Sequence, residues 1–103
     1  MDNIFIPNQK KPEEEQFDML LQTPNIQIEK ITSHGQTSDK WYEQKEDEWV
    51  VLIEGEGHLL FEDGKQIRLA KGEHIHIPKM KRHKVIYTSS PAIWLAVHFK
   101  TEQ

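Results

Sequence analysis

From Trp49 to Phe99 the chain sets short apolar runs between turn residues, a rhythm that fits an all-β sandwich or barrel. Trp49–Ile53 is a continuous apolar run, suited to a strand buried on both faces. Gly55-Glu56-Gly57 turns the chain. His58–Glu62 and Lys65–Leu69 flank Asp63-Gly64, the strongest short hairpin signal present. Glu73–Ile77, His83–Thr88 and Ala92–Phe99 supply three more strands. Such strands pair antiparallel through tight turns, so the expected fold is one antiparallel β-domain of jelly-roll type.

Upstream the pattern is looser. From Asn25 onward Ile26, Ile28 and Ile31 alternate with polar residues, as in a half-buried strand. His34-Gly35-Gln36-Thr37-Ser38-Asp39 is a loop by composition. Residues 13–21 read as one short helix. Pro12 suits its first turn, Glu13, Glu14 and Glu15 oppose the positive end of the helix dipole, and Phe17, Leu20 and Leu21 share a face. Pro24 ends it. The residues before Pro12 read as an extended arm whose Asn3–Ile6 piece adds an edge strand. The domain expectation is an arm and helix over 1–24 and a barrel over 25–103.

Composition narrows the function classes. The 103 residues have room for one domain and a modest core. Net charge is −4 with acids and bases interleaved, so there is no basic face to hold a nucleic-acid backbone. Lys79, Lys81, Arg82 and Lys84 form a basic cluster that reads as a solvated hairpin and is too small to argue nucleic acid. Without cysteine there is no disulfide, thiolate nucleophile or Cys-based zinc site. No apolar run approaches a membrane span, and the N-terminus lacks a signal-peptide core, so the expected compartment is the cytoplasm.

Two motifs carry a family resemblance. Trp41-Tyr42-Glu43-Gln44, Asp47-Glu48-Trp49-Val50-Val51-Leu52 and Gly55-Glu56-Gly57 together resemble the first motif of the cupin superfamily. Gly72-Glu73-His74-Ile75-His76-Ile77-Pro78 with His83-Lys84-Val85 resembles the second. The chain is most similar to small bacterial single-domain cupins ending in Trp94-Leu95-Ala96-Val97-His98-Phe99. The resemblance covers residues 25 to 99. It implies a double-stranded β-helix barrel, usually a homodimer, often with one divalent metal in the mouth. It does not imply one activity, because the fold serves enzymes, storage proteins and sensors alike.

By the same resemblance Glu48 and His83 stand at metal-ligand positions. The family's first motif also supplies His-x-His before its glutamate. Counting back from Glu48 lands on Tyr42 and Gln44, or with one extra residue on Trp41 and Glu43. Neither pair contains histidine. Met80 stands where the second motif has glycine. The candidate metal set is therefore Glu48 and His83, with Glu43 or Gln44 as third and fourth donors. Such an oxygen-rich set suits Zn, Mn, Fe(II) or Ni, held less tightly than by three imidazoles.

Tyr42, Trp41, Tyr87 and His98 are candidate pocket walls for a small organic ligand. Trp49 and Trp94 read as core or interface. His74 and His76 share one strand face, and Ile75 and Ile77 the other. The reading favoured by burial preference puts the isoleucines inside and the histidines outside. Two functions stay open: a metal-dependent enzyme acting on a small molecule, and a non-catalytic ligand-binding or sensor protein without a metal. A homodimer is expected, since a barrel this small has little core of its own and the arm at residues 2–8 offers surface to share.

Overall fold

The computed structural model describes residues 1–101; residues 102 and 103, the end of the expected barrel domain, lie outside the described residues. Eight strands run in chain order: β1 (Gln16–Gln22), β2 (Ile26–Ser33), β3 (Asp47–Glu54), β4 (Glu56–Phe61), β5 (Gln66–Ala70), β6 (His74–Ile77), β7 (His83–Thr88) and β8 (Ala92–Phe99). They form a five-stranded sheet ordered β1-β2-β8-β3-β6 and a three-stranded sheet ordered β5-β4-β7. Every pairing is antiparallel. From β3 onward the chain passes between the sheets at β4, β6, β7 and β8, which is the jelly-roll habit. The strands make two sheets rather than one closed ring.

The helix expected over residues 13–21 is absent, and β1 occupies most of that span. Gln16 to Gln22 pairs with Thr32 to Gln27, with a bulge between Met19 and Leu21. An isolated helix of nine residues is marginal in water, whereas the open edge of β2 offers a full ladder of backbone partners. Thr23 makes the hairpin: its amide donates to the Ile26 carbonyl, and its hydroxyl accepts from the Ile26 amide at 3.0 Å. Pro24 thus marks a β-turn and not a helix end. Phe17, Leu20 and Leu21, the would-be helix face, are half-exposed on the sheet edge.

The arm also departs from expectation. Asn3–Ile6 is a turn closed by the Ile6 amide on the Asn3 carbonyl, not an edge strand. The arm lies over the outer face of the large sheet. There the buried Lys30 ammonium donates to the Asn3 and Ile6 carbonyls, and the Asn8 amide donates to Thr32.

The two sheets enclose Val50, Leu52, Leu59, Phe61, Leu69, Ile77, Ala92, Trp94 and Ala96. Gly57 is needed there because a Cβ would overlap the Trp94 indole. Among the described residues no helix is long and apolar enough to cross a membrane.

Candidate functional site

Strand β3 points Glu48, Val50 and Leu52 inward. Leu52 and Val50 belong to the apolar core, and Glu48 ends the row as a carboxylate only 7% exposed. Glu48 lies opposite His98 in the β3–β8 register, so both side chains emerge on the same face. His83 opens β7 and is equally buried. Together they reach a cavity of ≈130 Å³ whose walls also include Val50, Leu59, Ile77, Val85 and Trp94.

The segment before β3 is tied to β7 by backbone. Tyr42 and His83 exchange both N–H···O=C bonds, at 2.7 and 3.0 Å. That bridge brings Tyr42 and Gln44 to the cavity and leaves Trp41 and Glu43 outside it. The Gln44 carbonyl accepts from the Met80 amide at 2.7 Å, which anchors the turn leading into His83. Met80 takes a φ of 67°, the left-handed conformation that glycine adopts freely and that explains why the family motif has glycine there.

Glu48 Oε1 lies 3.8 Å from His83 Nε2, and Glu48 Oε2 lies 4.0 Å from His98 Nε2. Neither distance is a hydrogen bond. Oε1 is fully buried with no hydrogen-bond partner among the described residues. Burial, and secondarily the nearby Glu29, pushes the Glu48 carboxyl up to about 7. Burial likewise holds both imidazoles below their ordinary range, partly offset at His83 by the Lys81 carbonyl and at His98 by Glu46. An ion pair would shift all three groups the opposite way, so burial outweighs pairing here.

His83 Nδ1 lies 3.1 Å from the Lys81 carbonyl, which can only accept. In the neutral ring Nδ1 therefore carries the proton, and Nε2 presents a lone pair to the cavity. When Glu48 is ionised, a lone pair and a carboxylate oxygen face each other across 3.8 Å, and no other described residue donates to Oε1. Such an arrangement calls for a shared proton donor or cation. Two bonds of about 2 Å to a metal such as zinc span such a gap. Among the described residues no group of three His, Asp or Glu side chains is arranged to hold a metal. Gln44 and Tyr42 line the same cavity as neutral oxygen donors.

The remaining candidates lie elsewhere. Glu43 approaches Arg82 at 3.8 Å, and the Trp41 ring lies beneath Arg82 and Lys84. Tyr87 is exposed and packs on His58 with ring centroids 4.7 Å apart. A bulge in the β4–β7 pairing turns it outward. His74 and His76 face out, His74 against Trp49 and His76 bonded to Asp47 at 3.0 Å, while Ile77 is core. Two cavity carboxylates escaped the sequence reading: Glu29 on β2 and Glu15 just before β1. Burial, and then Glu15, raises the Glu29 carboxyl above its usual range. The available signal was the phase of β2, since Glu29 lies two residues before the inward Ile31.

Residues 29–98 match the family model described as Cupin domain. No curated protein matches the chain. Among solved structures, the chain is similar to a "putative mannose-6-phosphate isomerase" of Ralstonia eutropha JMP134, with 32% identity, a TM-score of 0.90 and 98% of each chain covered. It is similar in fold to the TT1209 protein of Thermus thermophilus, at 20% identity and TM-score 0.80, with 97% of this chain and 96% of that one covered. A cupin superfamily protein of Desulfitobacterium hafniense DCB-2 shares the fold at 18% identity and TM-score 0.78, with 88% and 82% covered.

Proposed function

The chain belongs to the cupin-domain family, and on that footing we propose that its cavity is a small-molecule site in which Glu48 and His83 share one ligand atom and serve proton-transfer chemistry. The shared atom is a divalent metal ion or a donor group of an organic substrate. What carries the reading is the pair of facing acceptors, Glu48 Oε1 without a partner and His83 Nε2 oriented by the Lys81 carbonyl. A backbone carbonyl fixing the far nitrogen is how proteins commonly aim an imidazole at a metal. Gln44 and Tyr42 complete the donor set in place of the family's two histidines. Zn, Mn, Fe or Ni would suit it, with modest affinity. A bound divalent ion supplies Lewis-acid polarisation of a substrate oxygen.

The chain's own groups do the rest. In the metal-free cavity the Glu48 carboxyl, pushed up to about 7, both takes and returns a proton at neutral pH. With no metal on it, His83 Nε2 accepts a hydrogen bond and is available as a second base. Tyr42 and Gln44 orient the ligand at the rim. Of the Ralstonia protein's name only the isomerase part supports this reading, because moving one proton between neighbouring carbons needs one group that serves as base and then acid. Elemental analysis of the purified protein tests the metal form. One divalent ion per chain, lost in Glu48→Gln and in His83→Ala, is expected. No metal in the wild type, with no binding on titration of zinc or manganese, overturns it and leaves the organic donor.

We also propose a homodimer built on the β1 edge. Phe17, Met19, Leu20 and Leu21 are half-exposed there on a strand with one unpaired side. Sedimentation at micromolar concentration should give twice the chain mass; a monomer alone overturns it.

A further inference from the structure

We propose that the cavity takes a small organic cation, an amine-bearing ligand, and turns away ligands that carry phosphate or carboxylate. The inference rests on the preceding reading that the Glu48–His83 cavity is the binding site, and it specifies the ligand's charge. Among the described residues three carboxylates line the cavity, Glu48 at its inner end and Glu15 and Glu29 at its mouth, and no Lys or Arg lines it. None of the three pairs with a Lys or Arg among the described residues. Glu15 has only a neutral partner, the Ser33 hydroxyl at 2.7 Å.

The nearby basic cluster is occupied elsewhere. Arg82 holds Glu62, Lys81 lies over the Phe61 ring and Lys84 over Trp41. A phosphate entering the mouth would meet two carboxylates and no counter-charge. Like charges brought together in a poorly solvated site repel strongly.

Glu48 Oε1 points to a ligand independently of the pair at the mouth. It belongs to a side chain more than nine-tenths buried that lines the cavity, and it has no partner among the described residues. Such an atom is costly unless a donor reaches it. The mouth also carries two half-exposed aromatic rings, Phe17 and Tyr42, beside Glu15 and Glu29. Aromatic faces next to carboxylates suit an alkylammonium group better than a bare anion or a neutral sugar. The volume of ≈130 Å³ is well below the roughly 300–1,000 Å³ of drug-sized sites, so the ligand is small. A divalent ion on Glu48 and His83 does not reverse the argument, because its two positive charges face three carboxylates.

The test uses four probes on the purified full chain at pH 8 and low salt: 3-amino-1-propanol, 1,3-propanediol, 3-hydroxypropionate and mannose 6-phosphate. Binding is followed by amide chemical-shift changes, in the wild type and in Glu29→Gln, Glu15→Gln and Glu48→Gln. The amine is expected to bind about tenfold or more tighter than 3-hydroxypropionate, with the diol between them and shifts at cavity residues. Glu29→Gln and Glu15→Gln should each narrow that preference about threefold or more, and added salt should narrow it further. Either anion binding the cavity as tightly as the amine overturns the charge rule. If that binding is lost in Glu48→Gln, the site itself stands. If no probe perturbs cavity residues and Glu48→Gln changes nothing, both readings fall.

Discussion

Asp47 and Glu48 are neighbours on one strand, each buried and each beside a histidine, yet their surroundings are opposite. Asp47 faces outward and its carboxylate is saturated: His76 lies 3.0 Å away, Thr101 donates at 3.1 Å and the Lys79 amide at 3.3 Å. Those bonds, His76 first, hold its carboxyl below the usual range. Glu48 faces inward, makes no hydrogen bond with Oε1, and is pushed up to about 7. One acid staples β3 to β6 and to Thr101. The other is left unpaired in the interior, which costs stability and has no structural return. The contrast separates a carboxylate satisfied by the fold from one the fold leaves without a partner.

The largest expected effect follows from that difference. Glu48 binds its proton more tightly in the folded chain than in the unfolded one, so it removes stability as pH rises from about 4.5 through 7. The shift corresponds to about 3 kcal/mol at pH 8. After chelation, Glu48→Gln should therefore be more stable than wild type at pH 8 by up to that amount, and equal to it near pH 4.5, in urea titrations. His83 and His98 act in the other direction, costing stability as pH falls below their ordinary 6.5, which is why the comparison is made above pH 7. An Asp47→Ala variant should show the opposite slope. Its lowered carboxyl contributes stability at neutral pH that is lost as pH falls through the folded value. The variant's melting point should drop at pH 7 and approach wild type in acid, with metal content unchanged.

Smaller effects sharpen the picture of what surrounds Glu48. Gly57→Ala should displace Trp94 from the cavity wall and cost about 1–3 kcal/mol, read by denaturation and by tryptophan fluorescence. Met80→Gly relieves a left-handed residue and should gain about 1 kcal/mol, offset in part by the entropy of glycine. Glu43→Gln touches only an exposed partner of Arg82 and should stay within about 0.5 kcal/mol of wild type with ligand binding intact.

Residues with period-two patterning and turn punctuation were legible in the sequence: the strands read at His83–Thr88 and Ala92–Phe99 are β7 and β8 to the residue. Residues 13–21 were not, because Phe17, Leu20 and Leu21 satisfy a helical period while the decisive partner, the free edge of β2, is remote information. At the site the same limit appears as register. Spacing left Tyr42 and Gln44 or Trp41 and Glu43 equally open. A one-residue slip exchanges the faces, and only the Tyr42–His83 backbone bridge selects the first pair. Tyr87 would face inward with His83 and Val85 on an unbroken strand, and a bulge unseen in sequence reverses it. Glu15 and Glu29 belong to no motif. They reach the cavity because β1 and β2 extend the large sheet past its three-stranded partner.

The central claim is that Glu48 and His83 face each other as two acceptors awaiting one ligand atom, and the state of the His83 ring tests it most directly. Long-range proton–nitrogen NMR at pH 7 on metal-free protein reads both ring nitrogens. The account predicts a neutral ring, protonated at Nδ1 and bare at Nε2, whose Nε2 signal moves on addition of zinc and does so far less in Glu48→Gln. A ring protonated on both nitrogens at that pH, indifferent to zinc, would show an ordinary buried ion pair and contradict it.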